Sequence, residues 1–144
     1  IYLIKLNHHI MDPKLINWPA VFVAALSAFA VGGVWYSSAL FGKAWMTDSK
    51  LSIEEIKAGN KGKIFGFTAF FSLVMAANLA AFLADPKTDM AWGATAGFLA
   101  GVWTFGAIAI HSLFELKCWR YIFVNGGYSV ASLTLMGLIL GAWR

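Results

Sequence analysis

The stretch "HSLFELKCWR" (residues 111–120) places a histidine, a glutamate, a lysine, a cysteine and an arginine directly after a long apolar run. His111 and Glu115 are one helical turn apart and share a face. An imidazole and a carboxylate so placed can work as an acid–base pair or hold a polar ligand. If the long apolar runs are helices, other polar groups reach the same level. Tyr36 and Lys43 lie near the end of the first run, and Asn125 and Tyr128 near the start of the last. This is the only convergence of polar side chains that the sequence offers, and two readings of it stand. In one, His111, Glu115, Asn125, Tyr128, Tyr36 and Lys43 line a pocket for a small polar solute or a lipid headgroup. In the other they form a structural network. Glu115 then pairs with Lys117, Arg120 or Lys43, while His111 and Asn125 tie two helices together.

Other chemistries find less support. Proton-coupled transport usually needs a carboxylate near the bilayer midplane, and no long apolar run contains one. Small multidrug transporters have a similar helix count but carry such a carboxylate in their first helix. Asn78 is the other strongly polar residue remote from the first and third connections, and it reads as an interhelical hydrogen-bonding group. "AIAIH" (residues 107–111) sets a small residue one turn before His111, a pattern that lets a pigment or haem lie against a helix with the imidazole on its metal. A single match assigns no cofactor. His8 and His9 are adjacent in the N-terminal tail and make poor metal partners. No zinc motif, phosphate-binding glycine loop or nucleophile elbow is present, so no catalytic residue and no metal site is assigned. Cys118 is the only cysteine, which excludes an intrachain disulfide and argues against paired-thiol redox chemistry.

The elements that position these residues follow from charge. Of the 144 residues, 60% are hydrophobic and only 12% charged, where soluble domains carry about 25%. No charge falls in residues 15–42, 64–84, 90–114 or 121–143. A spanning helix needs about 20 apolar residues, and a charge at the bilayer centre costs about 2.5–3.5 kcal/mol. These windows therefore predict an all-α, membrane-spanning four-helix bundle, with helices over about 18–41, 64–84, 90–114 and 121–143. Residues 1–16 form an N-terminal tail and 17–144 one transmembrane domain. Met11 is a plausible start, leaving residues 1–10 as an extension. The formal net charge of +4 is spread along the flanks of apolar segments rather than along one face, so nucleic acid is not the expected partner.

Lys and Arg counts orient the bundle. Lys5, Lys14, Lys87 and Arg144 lie on one side. Lys43, Lys50, Lys57, Lys61, Lys63, Lys117 and Arg120 lie on the other. Both termini are then outside and both larger connections cytoplasmic. Trp18, Trp92 and Trp143 belt the outer side, Trp45 and Trp119 the inner. The polar turn "DPKTD" predicts that the second and third helices are antiparallel neighbours. In the first connection, Ser52 and Glu55 form a capping box, Leu51 and Ile56 a hydrophobic staple, and Gly59 a stop. Together they predict a short amphipathic surface helix over 53–58. "LFGKAW" and "LFELKCW" follow the first and third helices, and "IF" opens the second and fourth, which suggests two similar helical hairpins.

Within lipid, close backbone approach rather than hydrophobicity joins helices. Small residues recur every fourth position: Gly93, Gly97 and Gly101; Ala24, Ala28 and Gly32; Ala76, Ala80 and Ala84; Gly137 and Gly141. These stripes predict packing within the chain, or one of them facing another subunit.

"GGVWYSSALFGKAWM" (residues 32–46), "SLVMAANLA" in the second helix, and "FE" followed by "VNGGYSVASLTLMGLILGAW" in the last resemble a bacterial four-helix membrane family catalogued as domain of unknown function 1761. The resemblance runs from Asn17 to the C-terminus. It implies a compact four-helix membrane protein and brings no established activity, so it supplies no catalytic residues. The functional expectation is a non-enzymatic scaffold or accessory subunit of a membrane assembly in the bacterial inner membrane. Its partners would be the lipid bilayer and either a larger membrane complex or copies of itself. The alternative is a small permease or channel-like protein that binds a small polar or lipidic solute near the cytoplasmic ends of the first, third and fourth helices. A third reading, a membrane enzyme, would use His111 and Glu115 as its acid–base pair.

Overall fold

The computed structural model describes residues 12–144. The expectations for Lys5, His8, His9 and a start at Met11 lie outside the described residues. A 3-10 turn, Pro13–Leu15, precedes six α-helices: α1 (Trp18–Trp35), α2 (Gly42–Ser49), α3 (Ile53–Ala58), α4 (Lys61–Phe82), α5 (Met90–Phe114) and α6 (Trp119–Ala142). α1, α4, α5 and α6 are long and apolar enough to cross a membrane.

Local chemistry sets the helix ends. The Asn17 side chain accepts from the Ala20 amide to start α1, with Pro19 in the first turn, where an amide has no partner to lose. Asn60 accepts from the Lys63 amide, so α4 begins at Lys61 rather than Ile64. Asp89 accepts from the Trp92 amide and starts α5. The capping box forms as the sequence predicts. Ser52 Oγ accepts from the Glu55 amide, and the Glu55 carboxylate accepts from the Ser52 amide at 2.8 Å. At the far end of α4, Arg144 donates to the carbonyls of Leu83 (2.7 Å) and Asp85 (2.8 Å), and Thr88 Oγ1 also donates to Leu83. The C-terminal arginine thus serves carbonyls that a helix end leaves without partners.

The first spanning helix is shorter than expected. The charge-free window continues to Gly42, but α1 stops at Trp35. The Tyr36 amide closes on Gly32, the Ser37 amide on Val34, and the Gly42 amide turns back to Ser37 at 2.9 Å. The chain then restarts as α2, which hydropathy alone conceals because the turn itself is apolar. Gly42 is required there, since a Cβ would run into the carbonyl oxygens of Tyr36 and Ser37. α2 ends on Lys50, whose φ of 56° is left-handed.

α6 is the centre of the bundle. It packs along α5 and against α1, and it touches α2 and α4. The α5–α6 contact is made by glycines. A Cβ on Gly93 would collide with the Gly137 carbonyl, one on Gly97 with the Leu133 carbonyl, and one on Gly101 would sit 2.6 Å from the Val130 Cα. A Cβ on Gly141 would strike the Asp89 carbonyl. These two stripes therefore face each other within the chain. Ala24 and Ala28 of α1 and Ala76 and Ala80 of α4 are buried in the core with Val21, Leu83 and Met136. At Gly32 a Cβ would meet only the Tyr128 ring, at 3.5 Å.

Two hairpins result, α1 with α4 and α5 with α6, joined by α1 against α6. A two-fold relation between them would also press α4 against α5. It does not hold: α4 and α5 do not form a packed pair, contrary to the expectation from their short turn. The rings of Phe82 and Trp92 approach to 6.3 Å at the turn end. Beyond them an open cleft of about 610 Å³ separates the helices, with Leu133 of α6 on its floor. The glycine face of α5 is already taken by α6, so its bulky Trp92, Leu99 and Trp103 are turned toward the cleft.

Candidate functional site

The start of α6 carries Asn125, Gly126, Gly127 and Tyr128, and each has a separate partner. Asn125 accepts a hydrogen bond from the Tyr36 hydroxyl at 2.9 Å, and its amide donates to the Tyr121 carbonyl at 2.9 Å. Gly126 leaves room for the ring of Phe105 from α5, which a Cβ would strike. Gly127 leaves room for Trp35, whose ring would lie 3.0 Å from a Cβ. Tyr128 reaches across to donate to the Ala28 carbonyl at 3.2 Å. One turn of α6 therefore seats side chains from α1 and α5 on two of its sides.

Aromatic rings complete this end. The Trp35 indole donates to the Val124 carbonyl at 2.9 Å, and its ring lies 4.8 Å from Phe41. Tyr36 sits 5.4 Å from Tyr128 and 5.6 Å from Trp45, the latter edge-on. Burial, and then the neighbouring Tyr128 and Tyr121 phenols, push the Tyr36 hydroxyl above its ordinary range, so it stays protonated and remains a donor.

α2 is fixed by charge. Arg120 donates to both oxygens of Asp48, from Nε at 2.7 Å and from Nη2 at 2.6 Å. This two-pronged geometry is the strong form of an arginine–carboxylate pair. The Asp48 side chain is almost covered, while Arg120 keeps an exposed edge. The Arg120 hydrogen bonds hold the Asp48 carboxyl below its ordinary range, with further help from the Arg120 charge and a hydrogen bond from Cys118. Lys117 lies over the Tyr121 ring, 5.4 Å from its centre.

Of the six polar residues singled out in the sequence, the structure brings Tyr36, Asn125 and Tyr128 together and leaves His111, Glu115 and Lys43 apart. His111 and Glu115 are exposed, and among the described residues neither side chain makes a hydrogen bond or ion pair. Glu115 does not pair with Arg120, whose carboxylate partner is Asp48. His111 does not bond Asn125, whose amide is already used at both ends. Ser112, the neighbour of His111, is the residue that turns inward. Lys43 borders a shallow surface depression with Met46 and Lys50. The chain leaves α5 through Leu116, which is left-handed at φ 57° and 92% exposed.

The assembled cluster has the chemistry of a clasp. Its donors and acceptors face each other, and its rings fill the space between them. Trp45, Phe105 and Asp48 are members that the sequence does not single out. The doubled glycine inside a spanning helix was the available signal, because such residues admit a ring or a backbone. For Asp48 the sequence carried none. The tryptophan belts also need one addition. Trp18, Trp92, Trp119 and Trp143 are exposed at helix ends, but Trp103 is 84% exposed in the middle of α5.

A family model described as "Protein of unknown function (DUF1761)" matches residues 19–141. No curated protein and no solved structure matches the chain.

Proposed function

We propose, from the premise that this chain belongs to the DUF1761 family, that it is a non-enzymatic component of a larger membrane assembly and that α4 carries the contact. The observation that supports this most is the state of α4. Residues 61–71 are all exposed, although they continue a helix whose other half is packed. Phe65, Phe67, Phe70 and Phe71 stand out from it, with only Phe65 near a ring of α1, 6.3 Å from Phe29. Gly62 and Gly66 lie one turn apart on this half, and a Cβ on Gly66 would meet nothing within 4 Å. Small residues at that spacing let a second helix approach closely. The glycine stripes that join α5 to α6 are already used within the chain, whereas the Gly62–Gly66 pair is open to a partner. The clasp at the start of α6 supports the same reading, because its polar groups are spent on one another. In this reading the protein lies in a bacterial cytoplasmic membrane, with the α1–α4 and α5–α6 connections inside and both termini outside.

The test is purification of the full chain from its native membrane in mild detergent. Larger subunits are expected to co-migrate and to be lost in Gly66→Leu, while that variant melts like wild type. A lone monomer stabilised by a small solute, with the effect lost in Glu115→Gln, would instead favour the permease-like reading.

A further inference from the structure

The cleft between α4 and α5 lies in the other half of α4 and has features that the assembly reading does not use. It is lined from Val74 to Phe82 on α4 and from Trp92 to Thr104 on α5. At 1.5 Å per residue these walls run about 12 Å and about 18 Å. The hydrocarbon core of a bilayer is about 30 Å thick, so one leaflet contributes about 15 Å. The cleft is thus as long as one leaflet is deep. A transmembrane helix would need the whole thickness, whereas a single lipid chain needs half of it. The volume, about 610 Å³, falls within the range of ligand-sized clefts, roughly 300–1,000 Å³.

One polar group gives the cleft its chemistry. Asn78 donates from Nδ2 to the Val74 carbonyl at 2.8 Å, and among the described residues its amide oxygen receives no hydrogen bond. An acceptor without a donor is costly in hydrocarbon, where water cannot substitute. Asn78 sits one helical turn, about 6 Å, below the rim formed by Phe82 and Trp92. A charged headgroup would have to leave water to reach that depth, but a hydroxyl would not carry such a penalty. We infer that the α4–α5 cleft binds one hydrocarbon chain of a neutral lipid alcohol, whose hydroxyl donates to the Asn78 amide oxygen. Phe82 and Trp92 flank the mouth, and Trp103 lies along the deep end.

The test uses the full chain, purified in mild detergent and stripped of lipid. It compares glycerol monooleate with methyl oleate, which has the same chain and no hydroxyl. Binding is read by native mass spectrometry and by the shift in melting temperature. Glycerol monooleate is expected to bind one per protein and raise the melting temperature, with methyl oleate about 3- to 10-fold weaker. Asn78→Leu should abolish that preference while keeping chain binding. Val74→Trp and Leu99→Trp, both at exposed positions and so harmless to the core, should fill the cleft and abolish binding of both probes. Equal affinity of wild type for the two probes overturns the proposal. So does undiminished binding in both tryptophan variants, or cross-linking of Leu99→Cys to another polypeptide, which would put a helix in the cleft. Gly66→Leu lies outside the cleft and should leave lipid binding intact, so failure of the assembly reading and failure of this one are distinguishable.

Discussion

The Tyr36 hydroxyl donates to the Asn125 side-chain oxygen at 2.9 Å, joining positions 89 apart in the chain. Tyr36 lies just past the last turn of α1 and Asn125 in the second turn of α6, so this bond fixes where the first spanning helix must stop. The Trp35 indole bond to Val124 acts beside it in the same direction. Hydrogen bonds between membrane helices contribute on average about 0.6 kcal/mol and at most about 1.7 kcal/mol. Tyr36→Phe keeps the ring contacts and removes the bond. It is expected to destabilise the protein by an amount in that range, measured by unfolding in mixed micelles. A variant as stable as wild type would mean that the rings alone form the clasp.

The Asp48–Arg120 pair carries a pH signature. Asp48 is held below its ordinary value of 3.8, chiefly by the Arg120 hydrogen bonds. A carboxylate lowered in the folded state contributes stability that is complete above its unfolded value and is lost as pH falls through its folded value. Asp48→Asn should therefore melt below wild type at neutral pH. The two curves should converge only when the pH drops below about 4. A gap that persisted unchanged into stronger acid would assign the difference to packing.

The glycines should separate into two classes. At Gly97 a Cβ meets the backbone carbonyl of Leu133, which cannot swing away, so Gly97→Ala is expected to cost about 1–3 kcal/mol. At Gly106, within the same helix, a Cβ meets nothing within 4 Å. Gly106→Ala should stabilise by about 0.5–1 kcal/mol through reduced chain entropy. Parallel melts of the two variants check the contrast, and equal effects would refute the face assignment of α5.

Ser132 on α6 is 2% exposed, and its hydroxyl has no partner among the described residues. A buried hydroxyl without a hydrogen bond costs about 1–3 kcal/mol. Ser132→Ala is expected to be neutral or stabilising, with Ser129→Ala as the control, a buried serine whose hydroxyl donates to the Asn125 carbonyl at 3.4 Å. Clear destabilisation by Ser132→Ala would point to an ordered water on the hydroxyl.

Much of this architecture was legible because a bilayer is a simple solvent. A helix that crosses it must exclude charge, and each of the four charge-free windows holds most of one long helix. Ser52 and Glu55 were equally legible, since a capping box is a local device complete within four residues. What the sequence hid was direction. The spacing of His111 and Glu115 says that they share a face, but not which way it points. The contact with α6 begins at Gly93, Gly97 and Gly101, continues through Phe105 and ends with Ser112 turned inward, while His111 and Glu115 stay exposed. The stop at Trp35 was hidden for a related reason. Tyr36 through Gly42 contains no charge, so hydropathy runs on through a turn that only tertiary contacts reveal. Asp48 and Arg120 are 72 positions apart, and no local pattern links them.

The central place of α6 has a consequence for biosynthesis. Ribosomes deliver α1, α4 and α5 to the membrane before it; α4 can pack on α1 at once, but α1 and α5 each find their largest packing surface only on α6. During translation the earlier spans wait in lipid with glycine and alanine grooves unfilled, a period in which insertion machinery or a chaperone could shelter them. Chains released before α6 emerges should remain inserted yet unassembled, and should be quickly cleared by membrane proteases.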